Sequence, residues 1–464
     1  MLMLFVRRPL LAAGWWALFV VVLIGIACLH NPIFHPCTSA LLFLLILGWK
    51  CTLVTFPSLD DDAPLMTPKN GVLFIWLCKL VIIPTEILWV GNHISFSETV
   101  SSIALECCII LASFLFFALG WHYSPLLPSQ VLWRPFSYPA RYGCFYLAIG
   151  LISILLFYGS FSSYWTGALF TYTTHEAIEN LKGNFIGVLA NIGQRFGFWG
   201  IVLLWYSYSI RQSRRLKWFE HLVFLLLAFT LTFSSNRANM AFPVLAFLGV
   251  ILVYFQPKRK WLFKALGIGL IFLVLFYGHL RVQPSLDTEQ VVLLFDHYTD
   301  ANNNYLEYAS QLYLGSPYQL SPLLSVENPP FTLVASLLEP VPIVGKAFRE
   351  ESGPFLYNSV INNLQAQDKV IPVAGELYLN GGILLVAIGH FLIGIIYRWL
   401  DRLFQKYRFT NPPLAAAYFY LSTLFAATLL LSLTVLSQFV LFNAAPALLI
   451  ITINWWQMRK GYST

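Results

Sequence analysis

What most restricts this chain is the recurrence of long apolar runs, each about eighteen residues or more and so able to cross a hydrocarbon core roughly 30 Å thick as a helix. Twelve runs stand out, at 11–29, 36–56, 71–91, 103–121, 141–160, 185–210, 217–234, 238–255, 261–280, 372–397, 414–433 and 436–456. They are too long and too continuously apolar for barrel strands, and lipid offers no partner to an open backbone, so helices are predicted. Only 11% of the 464 residues are charged, against about 25% in soluble domains, which excludes an ordinary soluble fold. The expected fold class is all-α: a polytopic membrane protein of about twelve transmembrane helices with a large extracytoplasmic loop.

The formal net charge of +7 reads as a topology signal and not as nucleic-acid binding. With the N-terminus inside, the inner loops collect Arg7, Arg8, Lys69, Arg141, Arg211, Lys258, Arg402, Arg408 and Arg459. The outer side holds only Lys182, Arg237, Arg281, Lys346, Arg349 and Lys369. Basic loops mark the cytoplasmic face, which predicts both termini inside and the long loop outside. Arg7 and Arg8 ahead of an apolar run resemble the start of a signal peptide, but no small-residue cleavage site follows, and the run is read as a retained helix. Seven cysteines, all before the long loop, form no metal-ligand spacing and read as small buried hydrophobes.

Three regions follow: an N-terminal helix bundle over 1–280, a polar segment over 281–371, and C-terminal membrane helices over 372–464. The polar segment is rich in Leu, Val and aromatics, which favours a folded cap with amphipathic helices over a flexible tether. Prolines 317, 322, 329, 330, 340 and 342 break up long helices within it, leaving room for a short one over 331–338.

Several side chains in this frame point to chemistry. The run Ser234-Ser235-Asn236-Arg237-Ala238-Asn239 occupies the shortest connection between two apolar spans. A guanidinium there grips phosphate through a rigid fork of donors, and a helix opening at Ala238 would aim free N–H groups at the same place. The alternative is a polar hairpin tip. Arg195 lies deep in an apolar run, where a charge is by default functional; the competing reading is a structural pair with Glu86, Glu98 or Glu106. Lys79 and Glu86 share a helix face and read as a structural pair. Glu376 enters the tenth span within its first turns, where a carboxylate is favoured in charged form; it is a base, an arginine partner, or simply a helix cap. His297 beside Asp296 is a weak metal signal, and its Asn-rich, aromatic surroundings suit sugar equally. No phosphate loop, H-E-x-x-H or G-x-S-x-G is present, so ATP hydrolysis, zinc proteolysis and serine-esterase chemistry have no sequence support.

The turn Ser235 to Asn239, the stretch with Leu356, Asn358, Ser359 and the Asn362–Asn363 region, and Glu376 followed by Gly381-Gly382 together resemble the oligosaccharide repeat-unit polymerases of bacterial surface polysaccharide assembly, above all the branch that makes enterobacterial common antigen. The resemblance covers the central third of the chain; the run Arg349 to Pro354 departs from the enterobacterial pattern. It implies a GT-C-like frame in a bacterial cytoplasmic membrane and a transferase that joins undecaprenyl-pyrophosphate-linked repeat units without cofactor or metal. Arg237, Arg281 and Arg349 would neutralise the departing pyrophosphate, and Glu376 or Asp296 would serve as general base. Asn239, Arg195, His297 and Tyr357 would line the path of pyrophosphate and glycan. Implied partners are the lipid-linked oligosaccharides, membrane lipids, a chain-length regulator and a flippase. Two rivals are an O-antigen ligase handing glycan to lipid A core, which His297 would serve, and a flippase for lipid-linked glycan.

Overall fold

The computed structural model describes residues 67–83, 86, 100–123, 135–170, 185–211, 218–232, 237–255, 269, 317–320, 323, 326, 331–342, 344–362 and 371–460. These residues form thirteen α-helices joined by short 3-10 and π turns, with no strand among them. In chain order they are α1 Pro68–Leu77, α2 Val100–Tyr123, α3 Pro139–Tyr158, α4 Phe161–Phe170, α5 Phe185–Arg211, α6 Trp218–Thr230 and α7 Arg237–Phe255. They continue as α8 Leu333–Leu338, α9 Gly353–Asn362, α10 Val373–Tyr407, α11 Pro412–Ala426, α12 Leu433–Phe442 and α13 Ala445–Lys460. Local chemistry sets several starts. Thr67 accepts the Asn70 N–H ahead of Pro68 at the first helical position of α1, and Ser432 accepts the Val435 N–H to open α12. Both are hydroxyl caps that satisfy a donor left over by the helix.

Two apolar cores meet along α10. One is built by α3, α5, α6, α7, α11 and α13 with the C-terminal turns of α10. The other is built by α1, α2 and the earlier part of α10, closed by Leu320, Leu323, Tyr357 and Ile371 from the polar segment. Glycines let the backbones approach in each. A Cβ at Gly150 on α3 would run into the Gly197 backbone on α5, and one at Gly394 on α10 would meet the Phe117 carbonyl on α2. Close crossings on small residues are how helices associate where lipid supplies no hydrophobic drive.

Helix α10 is two helices in one. Gly382 has φ 60° and ψ −157°, a region that only glycine enters without strain. The chain therefore turns sharply after Asn380, and a Cβ placed on Gly389 would lie 2.5 Å from the Leu377 side chain. In a straight helix twelve residues rise about 18 Å, so the first two turns of α10 fold back against the longer half.

The twelve-helix membrane frame expected from hydropathy is not what these residues build. Among the described residues two helices, α3 and α10, are long and apolar enough to cross a membrane, and a third arises only if α12 and α13, bent by 56°, count as one span. Runs 11–29 and 36–56 lie outside the described residues, as does 261–280 apart from Gly269. Helices α2 and α7 enter that count only from Cys108 and Phe242, since the side chains just before these lie outside the described residues; other runs fall short for physical causes. Helix α6 has 13 residues and rises only about 20 Å, α11 has 15, and α1 passes after Leu77 into a π-helical stretch, Cys78–Ile82, beyond which the run 71–91 is described only at Ile83 and Glu86. Helix α5 is long but carries Gln194, Arg195 and a Tyr- and Ser-rich end. Hydropathy along the chain merges adjacent short elements that the backbone keeps separate. The GT-C-like frame and the multi-pass cytoplasmic-membrane localisation, with termini inside and a loop outside, rested on that count and fall with it.

Candidate functional site

The best-defined polar junction lies where α10 begins. Pro372 leads into α10, and the Val373 N–H donates to the Leu431 carbonyl at 3.0 Å, which ties the start of α10 to the approach of α12. Glu376, in the first turn, is completely buried. Its Oε2 accepts the Leu433 N–H at 2.9 Å, and Ser336 of α8 stands beside the carboxylate. Ser336 Oγ in turn accepts the Gly353 N–H at 2.9 Å. Gly353 opens α9 directly over the same group, since a Cβ there would lie 2.5 Å from Glu376 Oε1. Three helix starts, those of α9, α10 and α12, thus converge on one carboxylate. Their positive ends and free N–H groups offset part of the water it has lost.

One turn on, Asn380 uses its whole amide. Oδ1 accepts the N–H groups of Thr332 and Leu333 at 2.7 and 3.3 Å, capping α8, while Nδ2 donates to Thr332 Oγ1 at 2.9 Å and to the Glu376 carbonyl at 2.6 Å. Glu339, at the end of α8, accepts the Thr434 hydroxyl at 3.3 Å and adds a second carboxylate near the start of α12. Glu376, Asn380 and the Gly381-Gly382 break form one unit that fixes α8, α9 and α12 against α10.

The sequence-predicted residues divide accordingly. Glu376 is at the centre of the junction, enclosed, and acts as a cap for α12, a neighbouring helix and not its own. Tyr357 is buried in the second core with its hydroxyl donating to the Gln319 carbonyl at 2.9 Å. Arg349 is half-buried just ahead of α9, where its carbonyl accepts the Ser352 N–H and hydroxyl at 3.2 and 2.8 Å. Arg237 opens α7, one residue before the expected start, with Asn239 in the same turn; their side chains lie outside the described residues, as do Arg281, Asp296 and His297 altogether. Arg195 is 6% exposed in the first core, where the hydroxyls of Tyr158, Tyr164 and Tyr420 are among its neighbours. Its neighbour Gln194 donates to the Tyr164 hydroxyl at 3.0 Å. Of the glutamates expected to pair with Arg195, Glu98 lies outside the described residues.

Lys79 is buried in the second core, where its charge acts on His390 of α10. His390, also buried, approaches the Val386 carbonyl with Nδ1 at 3.0 Å. Sequence reading passed over His390 and the buried Asp401, although a lone polar residue inside an apolar helix is the signal that would have raised both. Nor are all the cysteines buried: Cys78 is, Cys108 is half-buried and Cys144 is exposed. No group of three or more His, Cys, Asp or Glu among the described residues is arranged to hold a metal ion.

Comparison with protein-family models, with curated proteins and with solved structures finds no match for this chain.

Proposed function

We propose that the chain is a transferase that joins oligosaccharide repeat units carried on polyprenyl pyrophosphate. The observation that carries this reading is the meeting of two stretches that bear the sequence resemblance, Gly353 at the head of one standing over Glu376 in the other, 23 positions further along the chain. Helix α9, with Leu356, Asn358 and Ser359, starts on the carboxylate of Glu376, and the Gly381-Gly382 break follows within two turns. The third stretch, Arg237 to Asn239, is the first turn of the 19-residue α7, where free N–H groups and an arginine suit a phosphate. In this reading Arg237, helped by Arg281 and Arg349, neutralises the leaving pyrophosphate. Enclosure of Glu376 makes it a positioning residue for α9 and α12, and the base that takes the acceptor's hydroxyl proton is Asp296. Purified chain supplied with lipid-linked repeat units, without nucleotide, is expected to build a ladder of lengthened glycan. Folded protein that builds none with any lipid-linked donor would overturn the reading.

One observation favours a transporter of lipid-linked glycan instead. Charged groups are buried in both cores, Arg195 in the first and Lys79 and Glu106 on helices of the second, and α10 is discontinuous, as helices beside translocation sites are. Movement of labelled lipid-linked glycan across vesicles holding the chain, in the absence of any lengthening, would establish this second reading over the first.

A further inference from the structure

The end of the bundle away from Glu376 gathers positive charge and exposed rings from five helices. Its assembly is fixed by named contacts. The Ser137 N–H donates to Gln457 Oε1 at 3.0 Å and Gln457 Nε2 donates back to the Ser137 carbonyl at 3.1 Å, which sets the start of α3 beside the end of α13. Asn411 Nδ2 donates to Asn454 Oδ1 at 2.8 Å, which brings the end of α10 to the same place. Helices α3 and α5 are antiparallel, with Gly143 against Leu204 and Gly150 against Gly197, so the end of α5 joins them.

Arg141, Arg211, Arg402, Lys406, Arg408 and Arg459 therefore share one end, and Arg141, Arg211 and Arg459 are exposed there. The described acids nearby are Glu220, which accepts the Tyr208 hydroxyl, and Asp401, which is buried and bonded by Arg398 at 3.3 Å. Positive charge is thus in clear excess. Aromatic rings stand among these cations: Trp218, Trp399, Trp455 and Trp456 are 39–48% exposed. The Arg459 guanidinium sits 3.7 Å from the Trp455 ring centre, and that of Arg141 sits 5.3 Å from Tyr138. An uncharged flank leads away from this end along α10, where Leu384, Ile388, Leu392 and Ile396 recur every fourth residue, each more than 40% exposed.

We infer that this end binds the headgroups of anionic phospholipids. Guanidinium groups pair with phosphate through a planar fork, indole rings favour the level between headgroup and hydrocarbon, and a cluster of arginines is drawn to an anionic leaflet. The adjoining apolar stripe decides between occupants. An acidic protein would match the charge but leave that stripe bare, whereas a lipid layer covers both, phosphates on the arginines and acyl chains along α10.

The test uses the full chain in micelles of an uncharged detergent, titrated with brominated phosphatidylglycerol or brominated phosphatidylcholine while tryptophan quenching is followed. The anionic lipid is expected to quench at a markedly lower concentration, with the preference shrinking as salt is raised. The variant R141Q/R211Q/R459Q is expected to lose roughly fivefold in apparent affinity for each arginine removed, while K346Q at the opposite end keeps the full preference. Helix content and elution volume verify that the triple variant is folded; if it is not, R459Q alone is read for its single roughly fivefold step. Equal quenching by the two lipids, a preference indifferent to salt, or a folded variant that retains it would overturn the inference. So would stronger competition from polyglutamate than from phosphatidylglycerol, which would assign the surface to an acidic polypeptide.

Discussion

At the residue scale the informative side chains are those buried with a charge. Glu376 holds the Leu433 N–H, and removing the acceptor leaves a buried donor unsatisfied, at a cost of about 1–3 kcal/mol. Glu376→Ala is therefore expected to lower unfolding stability in detergent by that amount, and Glu376→Gln, which keeps an acceptor oxygen, by clearly less. Equal losses would mean that the carboxylate's charge and not its hydrogen bond holds the junction. Lys79 behaves in the opposite sense. Its ammonium is buried in the second core beside His390, and replacing a buried charge by an apolar group of similar length is commonly neutral or stabilising. Lys79→Met is expected to leave the unfolding midpoint unchanged or higher. A loss of about 3–5 kcal/mol would instead indicate that a countercharge is being stranded. Sequence alone marks Glu376 by its place in the first turn of a helix, but its enclosure comes from Ser336, Gly353 and Leu433, residues 40, 23 and 57 positions away. No local pattern encodes such distant contacts.

At the scale of elements, the break in α10 is the feature on which the junction depends. Gly381-Gly382 is legible in the sequence as a weak point in an apolar helix; that the chain reverses there, laying Leu377 against Gly389, is not, because the turn is fixed by Asn380 capping α8. A side chain at Gly382 meets open space but an unfavourable backbone. Gly382→Ala should accordingly cost about 1–3 kcal/mol, read as a lower midpoint in thermal unfolding, whereas Gly71→Ala, also in open space and without the positive φ, should cost nothing measurable. The starts of α1 and α12 follow directly from Thr67-Pro68 and Ser432, for capping is a local rule. Helix lengths are the failure. Runs over 217–234 and 414–433 look like spans because apolar residues continue past the ends of α6 and α11, while the backbone closes each helix after 13 and 15 residues.

For the whole molecule, the all-helical class follows from composition, and the twelve-span frame does not survive. The two cores, joined by glycine-mediated crossings and by α10, hold the described residues together and leave two distinct ends. At one, three helix starts meet on Glu376; at the other, arginines and tryptophans face outward. The central claim is that the first end, with Arg237 at the opening of α7, serves transfer of glycan between pyrophosphate carriers. Its most direct measurement is the length distribution of glycan made from lipid-linked repeat units by wild-type chain and by folded Arg237→Ala, without nucleotide. The wild type is expected to give a ladder that collapses to the starting unit in the variant, a loss of at least about a hundredfold in rate for removal of a charge that faces the developing anion. A ladder of the same length and rate from Arg237→Ala, or none from the folded wild type, would contradict it.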